Sequence, residues 1–246
     1  MNKTLSLAVM TACILIASSA FADDAATPAP AAPVPAPVPA PIPGVQYNFS
    51  ATAASNYIFR GISQTDNNPA LFVKGQASYD GFYAGIGSEN VDFNNHSEAE
   101  YDLSVGWKPT LDNFNFDLGI IRYGYTDQPD HVDADTVDFK GVVSHDFGPA
   151  TVGAAVYYTP DYFGTHDDGE YYQVNAAYKI IDNLSASAAV GRQIIAAGGD
   201  YSTWNIGCDY TIVKNVALDL RYYDTNEHQL ANVYQSHFVA AITTSF

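Results

Sequence analysis

The sequence has 246 residues, with 10 Lys+Arg against 27 Asp+Glu and a formal net charge of −17 at pH 7. So acidic a chain repels phosphate, which excludes nucleic acid as a partner, and its 18 Tyr and 13 Phe exclude an acidic disordered polymer. No apolar run of about 20 residues follows residue 22, so membrane-spanning helices are excluded; a soluble all-β domain or a membrane protein whose apolar character is hidden in alternation remains.

The N-terminus is predicted to be a secretory signal peptide over residues 1–22. Met1-Asn2-Lys3 is a short positive start, Leu5 to Ala17 is almost wholly apolar, and Ala20-Phe21-Ala22 fits a small-x-small cleavage site. Lipidation at Cys13 is the rival reading, but Met10-Thr11-Ala12-Cys13 fits that motif poorly. Cleavage after Ala22 leaves Cys208 alone, so no internal disulfide framework is expected. Residues 23–45 form a Pro/Ala-rich linker with eight prolines between Pro28 and Pro43. It favours extended polyproline II and reads as a semi-rigid periplasmic spacer; a tether touching peptidoglycan is the sharper alternative.

From Gln46 to Phe246 apolar residues recur at every second position, the period of a strand. Ala99, Tyr101, Leu103, Val105 and Trp107 alternate with Glu100, Asp102, Ser104 and Gly106, and Val216, Leu218, Leu220 and Tyr222 with Ala217, Asp219, Arg221 and Tyr223. The first strand is expected to run on through Tyr57 and Phe59. Twelve such segments begin near residues 46, 69, 82, 98, 114, 134, 150, 170, 184, 202, 216 and 233. One changes phase, from Phe114, Phe116, Leu118 and Ile120 to Ile121, Tyr123 and Tyr125, which predicts a β-bulge near Ile120.

The connections alternate strictly between six long polar stretches and five short turns. An outer-membrane barrel does this because one rim carries tight periplasmic turns and the other carries longer extracellular loops. Lipid offers no hydrogen-bond partners, so each unpaired backbone group costs several kcal/mol, and a closed sheet pairs them all. Aromatics near strand ends, among them Tyr57, Phe59, Trp107, Tyr123, Tyr125, Trp204 and Tyr222, suggest two interfacial girdles. The fold expected is a twelve-stranded antiparallel transmembrane β-barrel in the outer membrane of a Gram-negative cell, with both termini periplasmic. The C-terminal strand ends on Phe246, which resembles the signal read by the barrel-assembly machinery. Outer-membrane lipid and lipopolysaccharide are the further partners expected.

Tyr57-Ile58-Phe59-Arg60-Gly61-Ile62-Ser63-Gln64 resembles the first-strand motif of the TorF family of porins. Gly81-Phe82-Tyr83-Ala84-Gly85 with Glu89-Asn90-Val91-Asp92-Phe93 resembles that family's second hairpin, and Glu100-Tyr101-Asp102-Leu103 its next strand. The resemblance is specific over residues 47–107 and one of pattern from there to Phe246. It implies a porin and brings no catalytic residues or cofactor; the family's name alludes to trimethylamine N-oxide respiration, a link no residue here tests.

Parity assigns the lumen face. The pore-lining residues expected are Arg60, Lys74, Glu89, Glu100, Asp102, Asp117, Arg122, Asp138, Lys140, Lys179, Asp219 and Arg221, with Asp209 on the same face. Such charges are tolerated only against water or an opposite charge. Arg60, Lys74, Arg122 and Arg221 read either as a basic ladder facing an acidic wall, which would screen solutes by charge, or as members of ion pairs that brace the barrel. Twelve strands fall between filled and open barrels, so both a narrow pore and a plugged lumen stay open.

The outer loops hold much of the excess acid. Asp167, Asp168 and Glu170 are a weak candidate for Ca²⁺ or Mg²⁺, although the spacing is not that of an EF-hand and a solvated loop explains them as well. None of the six histidines has Ser two residues later on the same strand face, and no phosphate, dinucleotide or zinc motif occurs. Neither an enzyme nor a cofactor is expected. The function expected is passive passage of small polar solutes; the alternative is a non-conducting barrel acting as adhesin or scaffold through its acidic loops.

Overall fold

A computed structural model describes residues 42–93, 97–128 and 133–246. The signal peptide and most of the proline segment lie outside the described residues, as do His96, Asp130 and His131. Of the linker, residues 42–45 form a turn in which the Val45 amide donates to the Ile42 carbonyl at 3.1 Å.

Twelve long strands follow: β1 (Gln46–Ala54), β2 (Ala70–Tyr79), β3 (Phe82–Asn90), β4 (Ala99–Trp107), β5 (Phe114–Tyr125), β6 (Thr136–Phe147), β7 (Ala150–Thr159), β8 (Gly169–Ile181), β9 (Leu184–Ile195), β10 (Tyr201–Val213), β11 (Val216–Thr225) and β12 (His237–Ser245). Each pairs antiparallel with its chain neighbours. The ring is closed by β1 against β12, from Ser50 opposite Ser245 to Ala54 opposite Ala241. The starts agree with the sequence pattern to within a few residues. The largest difference is at β12, where a 3₁₀ turn over Asn232–Tyr234 precedes the strand.

The outer face is apolar as the alternation requires. Leu71, Val73, Ile86, Val190 and Phe238 are all at least 60% exposed, which a soluble fold of this size would bury. Tight turns lie at one end of the barrel. Asp80-Gly81 and Asp112-Asn113 place both residues at positive φ, the geometry of two-residue type I′ hairpins, whose twist matches that of the strands they join. We call this the turn end and the opposite rim the loop end.

The expected bulge near Ile120 is not there. β5 pairs without interruption with β4 and with β6, and the register shifts fall instead beside the turns, between Lys179 and Ile181 and between Thr211 and Val213. The side chains of β5 therefore keep a single phase, with Phe114, Leu118 and Ile120 outside and Ile121, Tyr123 and Tyr125 inside. The apolarity of these three predicts an outward position that the structure does not give them. Their surroundings explain the error, because the lumen at the loop end is not wet.

Candidate functional site: the lumen and its inner hairpin

The segment between β1 and β2 turns into the barrel. β1 stops at Ala54 rather than continuing through Phe59, and a small hairpin follows in which Ile58–Phe59 pairs with Ile62–Ser63. Its stem is built on Asn56, whose side-chain oxygen accepts from the Ser63 hydroxyl at 2.7 Å and the Thr65 hydroxyl at 3.0 Å. The Tyr57 amide donates to Thr65 Oγ1 at 3.2 Å, and the Gln64 amide to the Tyr57 carbonyl at 2.8 Å. The Asp92 amide, from the β3–β4 connection, donates to the Gln64 carbonyl at 2.8 Å and ties the hairpin to the wall.

The tip is Arg60-Gly61, at φ 49 and 88. Gly61 is obligatory there for two reasons. Its φ lies in the left-handed region, and an added Cβ would sit 2.1 Å from Thr203 Oγ1 and 3.1 Å from Thr225 Cγ2. Thr203 and Thr225 belong to β10 and β11, so the hairpin that leaves β1 packs against strands beyond β12.

Arg60 holds it there. Its guanidinium donates to Asp138 on β6 at 2.5 Å and to Gln193 on β9 at 3.0 Å, and lies 4.7–5.0 Å from the ring centres of Phe59, Tyr157 and Tyr171. The Arg60 and Asp138 side chains are 5% and 1% exposed. Asp138 also accepts from the Thr159 hydroxyl, and Gln193 donates to the Glu170 and Ile194 carbonyls. Both charges are thus hydrogen-bonded on several sides, as a buried pair requires. Burial works most strongly against the Arg60 charge, but Asp138 together with Tyr123, Tyr162 and Tyr201 holds the guanidinium above its ordinary pKa. An arginine at positive φ is uncommon and strained; these contacts offset that cost.

Aromatic packing completes a core inside the barrel. Tyr57 stands edge-on to Phe72 at 5.0 Å, and Phe59 to Tyr123 at 5.6 Å and Phe163 at 5.9 Å. The Tyr57 hydroxyl donates to Glu100 on β4 at 2.9 Å. Burial, reinforced by Glu100, raises the phenol well above its ordinary range, so it stays a donor.

Below the hairpin a cavity of about 450 Å³ is roofed by Tyr57, Phe59 and Tyr123 and walled by Asn48, Ser50, Lys74 and Gln76 with Glu89, Asp102 and Ser104. Toward the turn end, charges gather on two walls. Asp117 accepts from Tyr83 at 2.9 Å and Lys140 at 2.8 Å, with Lys108 at 3.9 Å. Arg221 donates to Asp219 at 2.8 Å and to Ser187, Asn205 and Asp209 at 2.9, 3.0 and 3.4 Å.

Of the residues assigned to the lumen by parity, Lys74, Glu89, Glu100, Asp102, Asp117, Asp138, Lys140, Asp219 and Arg221 sit on the inner face. Lys179 does too, at the turn end, 2.8 Å from Asp182. Arg60 lies inside the barrel too, but as the tip of the inner hairpin and not on a wall strand. Arg122 is misassigned. With β5 unbulged it shares the outer face with Leu118 and Ile120, and donates to Tyr101 at 3.1 Å and Asp135 at 2.6 Å on the loop-end rim. The proposed basic ladder dissolves with it, because Arg60, Lys74 and Arg221 each lie beside their own carboxylates.

Tyr57, Phe59, Tyr123 and Tyr125 leave the expected girdles for the interior core. The signal that would have found the hairpin is the turn-forming Arg60-Gly61 between two short apolar runs. The loop carboxylates Asp167, Asp168 and Glu170 do not converge; Glu170 accepts instead from the Tyr172 hydroxyl at 2.5 Å. Among the described residues the carboxylates that do converge are Glu89, Glu100 and Asp102, with one ligand atom of each within 4.8 Å of the others.

The barrel is similar in fold to two solved outer-membrane proteins. One is the NanC porin, with a TM-score of 0.58 at 11% identity over 82% of this chain and 99% of that one. The other is the KdgM porin, with a TM-score of 0.58 at 10% identity over 81% and 99%. No curated protein matches the sequence. The model of one family does match, over residues 41–246, and on that match the chain belongs to the Gcw_chp family, described as bacterial protein of unknown function.

Proposed function

We propose that the protein is an outer-membrane channel, both termini periplasmic, that passes small polar solutes and favours cations. One observation carries this reading: a closed barrel whose polar lumen is narrowed at one end by a hairpin locked across it through Arg60, Asp138 and Gln193. An exposed apolar belt around that lumen is stable only in lipid. The motif likeness over residues 47–107 to TorF-type porins points the same way, as does the porin fold of the structural neighbours.

The hairpin limits passage to solutes that fit beside it. In the ion-free lumen, cation preference follows from the charges around the cavity, where Glu89, Glu100 and Asp102 outnumber Lys74. Planar-bilayer recording tests the reading. Discrete conductance with a reversal potential displaced toward the cation side in a KCl gradient is expected, and removal of residues 57–64 should raise both conductance and the solute size limit. Conductance indistinguishable from bare lipid, with the hairpin present and removed, ends the channel reading.

One observation favours the second reading, a non-conducting scaffold. At the level of Arg60 the side chains are as shut from solvent as those of a protein core, with Thr65, Gln193 and Asp138 all at 0% exposure. A barrel silent even without its hairpin, yet binding cells through its loops, would establish that alternative.

A further inference from the structure

The carboxylates of Glu89, Glu100 and Asp102 stand together where an antiparallel sheet ordinarily avoids like charges. The register places Glu89 directly opposite Glu100, with Asp102 two positions along the same face and opposite Gly87, and like charges in this relation repel. Both Glu89 oxygens and Asp102 Oδ1 are buried without a hydrogen-bond partner, and the Glu89 side chain is 1% exposed. Among the described residues one cation is near. Lys74 Nζ lies 3.8 Å from Glu89 and 3.8 Å from Asp102 on a side chain that is 52% exposed. Three carboxylates against one ammonium leave two negative charges uncompensated, and acceptor atoms with no donor cost several kcal/mol unless something binds them.

We propose that Glu89, Glu100 and Asp102 bind a Ca²⁺ ion inside the barrel, beside the cavity beneath the hairpin. The ligand class is that of hard cations, which take carboxylate oxygens. Size selects among them. Oxygens on one Ca²⁺ lie about 2.3–2.6 Å from it and so are at most about 5 Å apart, whereas Mg²⁺ draws its oxygens to about 2.0–2.1 Å and no more than about 4.2 Å apart. Ligand atoms that all lie within 4.8 Å of one another fall inside the wider Ca²⁺ span. The adjoining cavity supplies room for the water ligands that complete its shell. Tyr57, donating to Glu100, couples the ion to the hairpin. The site rests on the fold and not on conduction.

Tyrosine-excited Tb³⁺ emission from the full chain folded in detergent tests it, with Tb³⁺ standing in for Ca²⁺ and Tyr57 as the adjacent sensitiser. One saturable phase, displaced by Ca²⁺, is expected. Its affinity should fall by about tenfold or more in E89Q and in D102N and stay unchanged in the loop variant D167N/D168N. Emission that is not saturable, that survives both lumen substitutions, or that disappears only with the loop acids overturns the proposal. If neither lumen variant folds, the wild-type protein decides, since Ca²⁺ must then raise its unfolding temperature and an unchanged value refutes the site. A barrel that conducts but shows no displaceable emission loses the ion site and keeps the channel; one that binds but never conducts does the reverse.

Discussion

The loop-end and turn-end halves of the lumen are lined by the same strands and share the same alternation, yet their chemistry differs. At the loop end a returning segment turns the inner face into a core, where Arg60 and Asp138 are shut away from water and Tyr57, Phe59, Tyr123 and Tyr125 pack on one another. At the turn end no segment returns among the described residues. Asp117, Lys140, Asp219 and Arg221 keep between 12% and 25% side-chain exposure. Inward polarity along a strand therefore reports only that a residue faces inside. Whether inside means solvent is set by what the connections do.

Breaking the packed half should have the largest effect. Arg60→Ala leaves Asp138 buried and uncompensated, and about 3–5 kcal/mol of unfolding free energy in denaturant should go with it, while Asp219→Asn at the wetter end should cost under half as much. Equal losses would erase the contrast between the halves. Next comes Gly61→Ala, which strains the turn and collides with Thr203. About 1–3 kcal/mol is expected, with faster proteolysis at the hairpin.

Tyr57→Phe removes one hydrogen bond to a carboxylate and should cost about 1.5–3 kcal/mol if that bond is fully sheltered; a value well under 1 kcal/mol would mean that water reaches Glu100. Arg122→Ala, on the outer rim, should change stability by less than about 1 kcal/mol and leave conductance and ion preference untouched, which separates outer from inner placement. The smallest effect is at the turn end. The Lys179 hydrogen bond holds the exposed Asp182 carboxyl below its ordinary pKa. Its slight stabilisation is complete above the unfolded-state value and fades as acid protonates it, so Asp182→Asn should flatten only the acid limb of a stability profile.

The outer face was legible in the sequence because lipid imposes one rule on it: Leu71, Val73, Ile86 and Phe238 all had to be apolar at period two. Turn chemistry was legible for a similar reason, since Asp80-Gly81 suits a two-residue hairpin. The interior was legible only where it is wet. Tyr123 and Tyr125 obey the same parity as Asp117, but their apolarity outweighed their position and invited a bulge the chain does not contain, which in turn threw Arg122 to the wrong side. The hairpin was hidden because its stability comes from partners far along the chain, Asp138, Gln193 and Thr203. The convergence of Glu89, Glu100 and Asp102 was hidden too, because parity places each inside without showing that Glu89 lies opposite Glu100.

The seam between β1 and β12 has a consequence for how the molecule comes to be. Every other ladder joins neighbours in the chain and can zip up from local encounters, but this one brings Thr52 to Thr243, 191 positions away. Contacts so remote are slow to find, and until they form two strand edges stand open to pairing with strangers. Arg60 departs from one of those edges, while its anchors Asp138 and Gln193 belong to strands made later. Assembly must therefore both shut the ring and seat the hairpin against strands made later than itself.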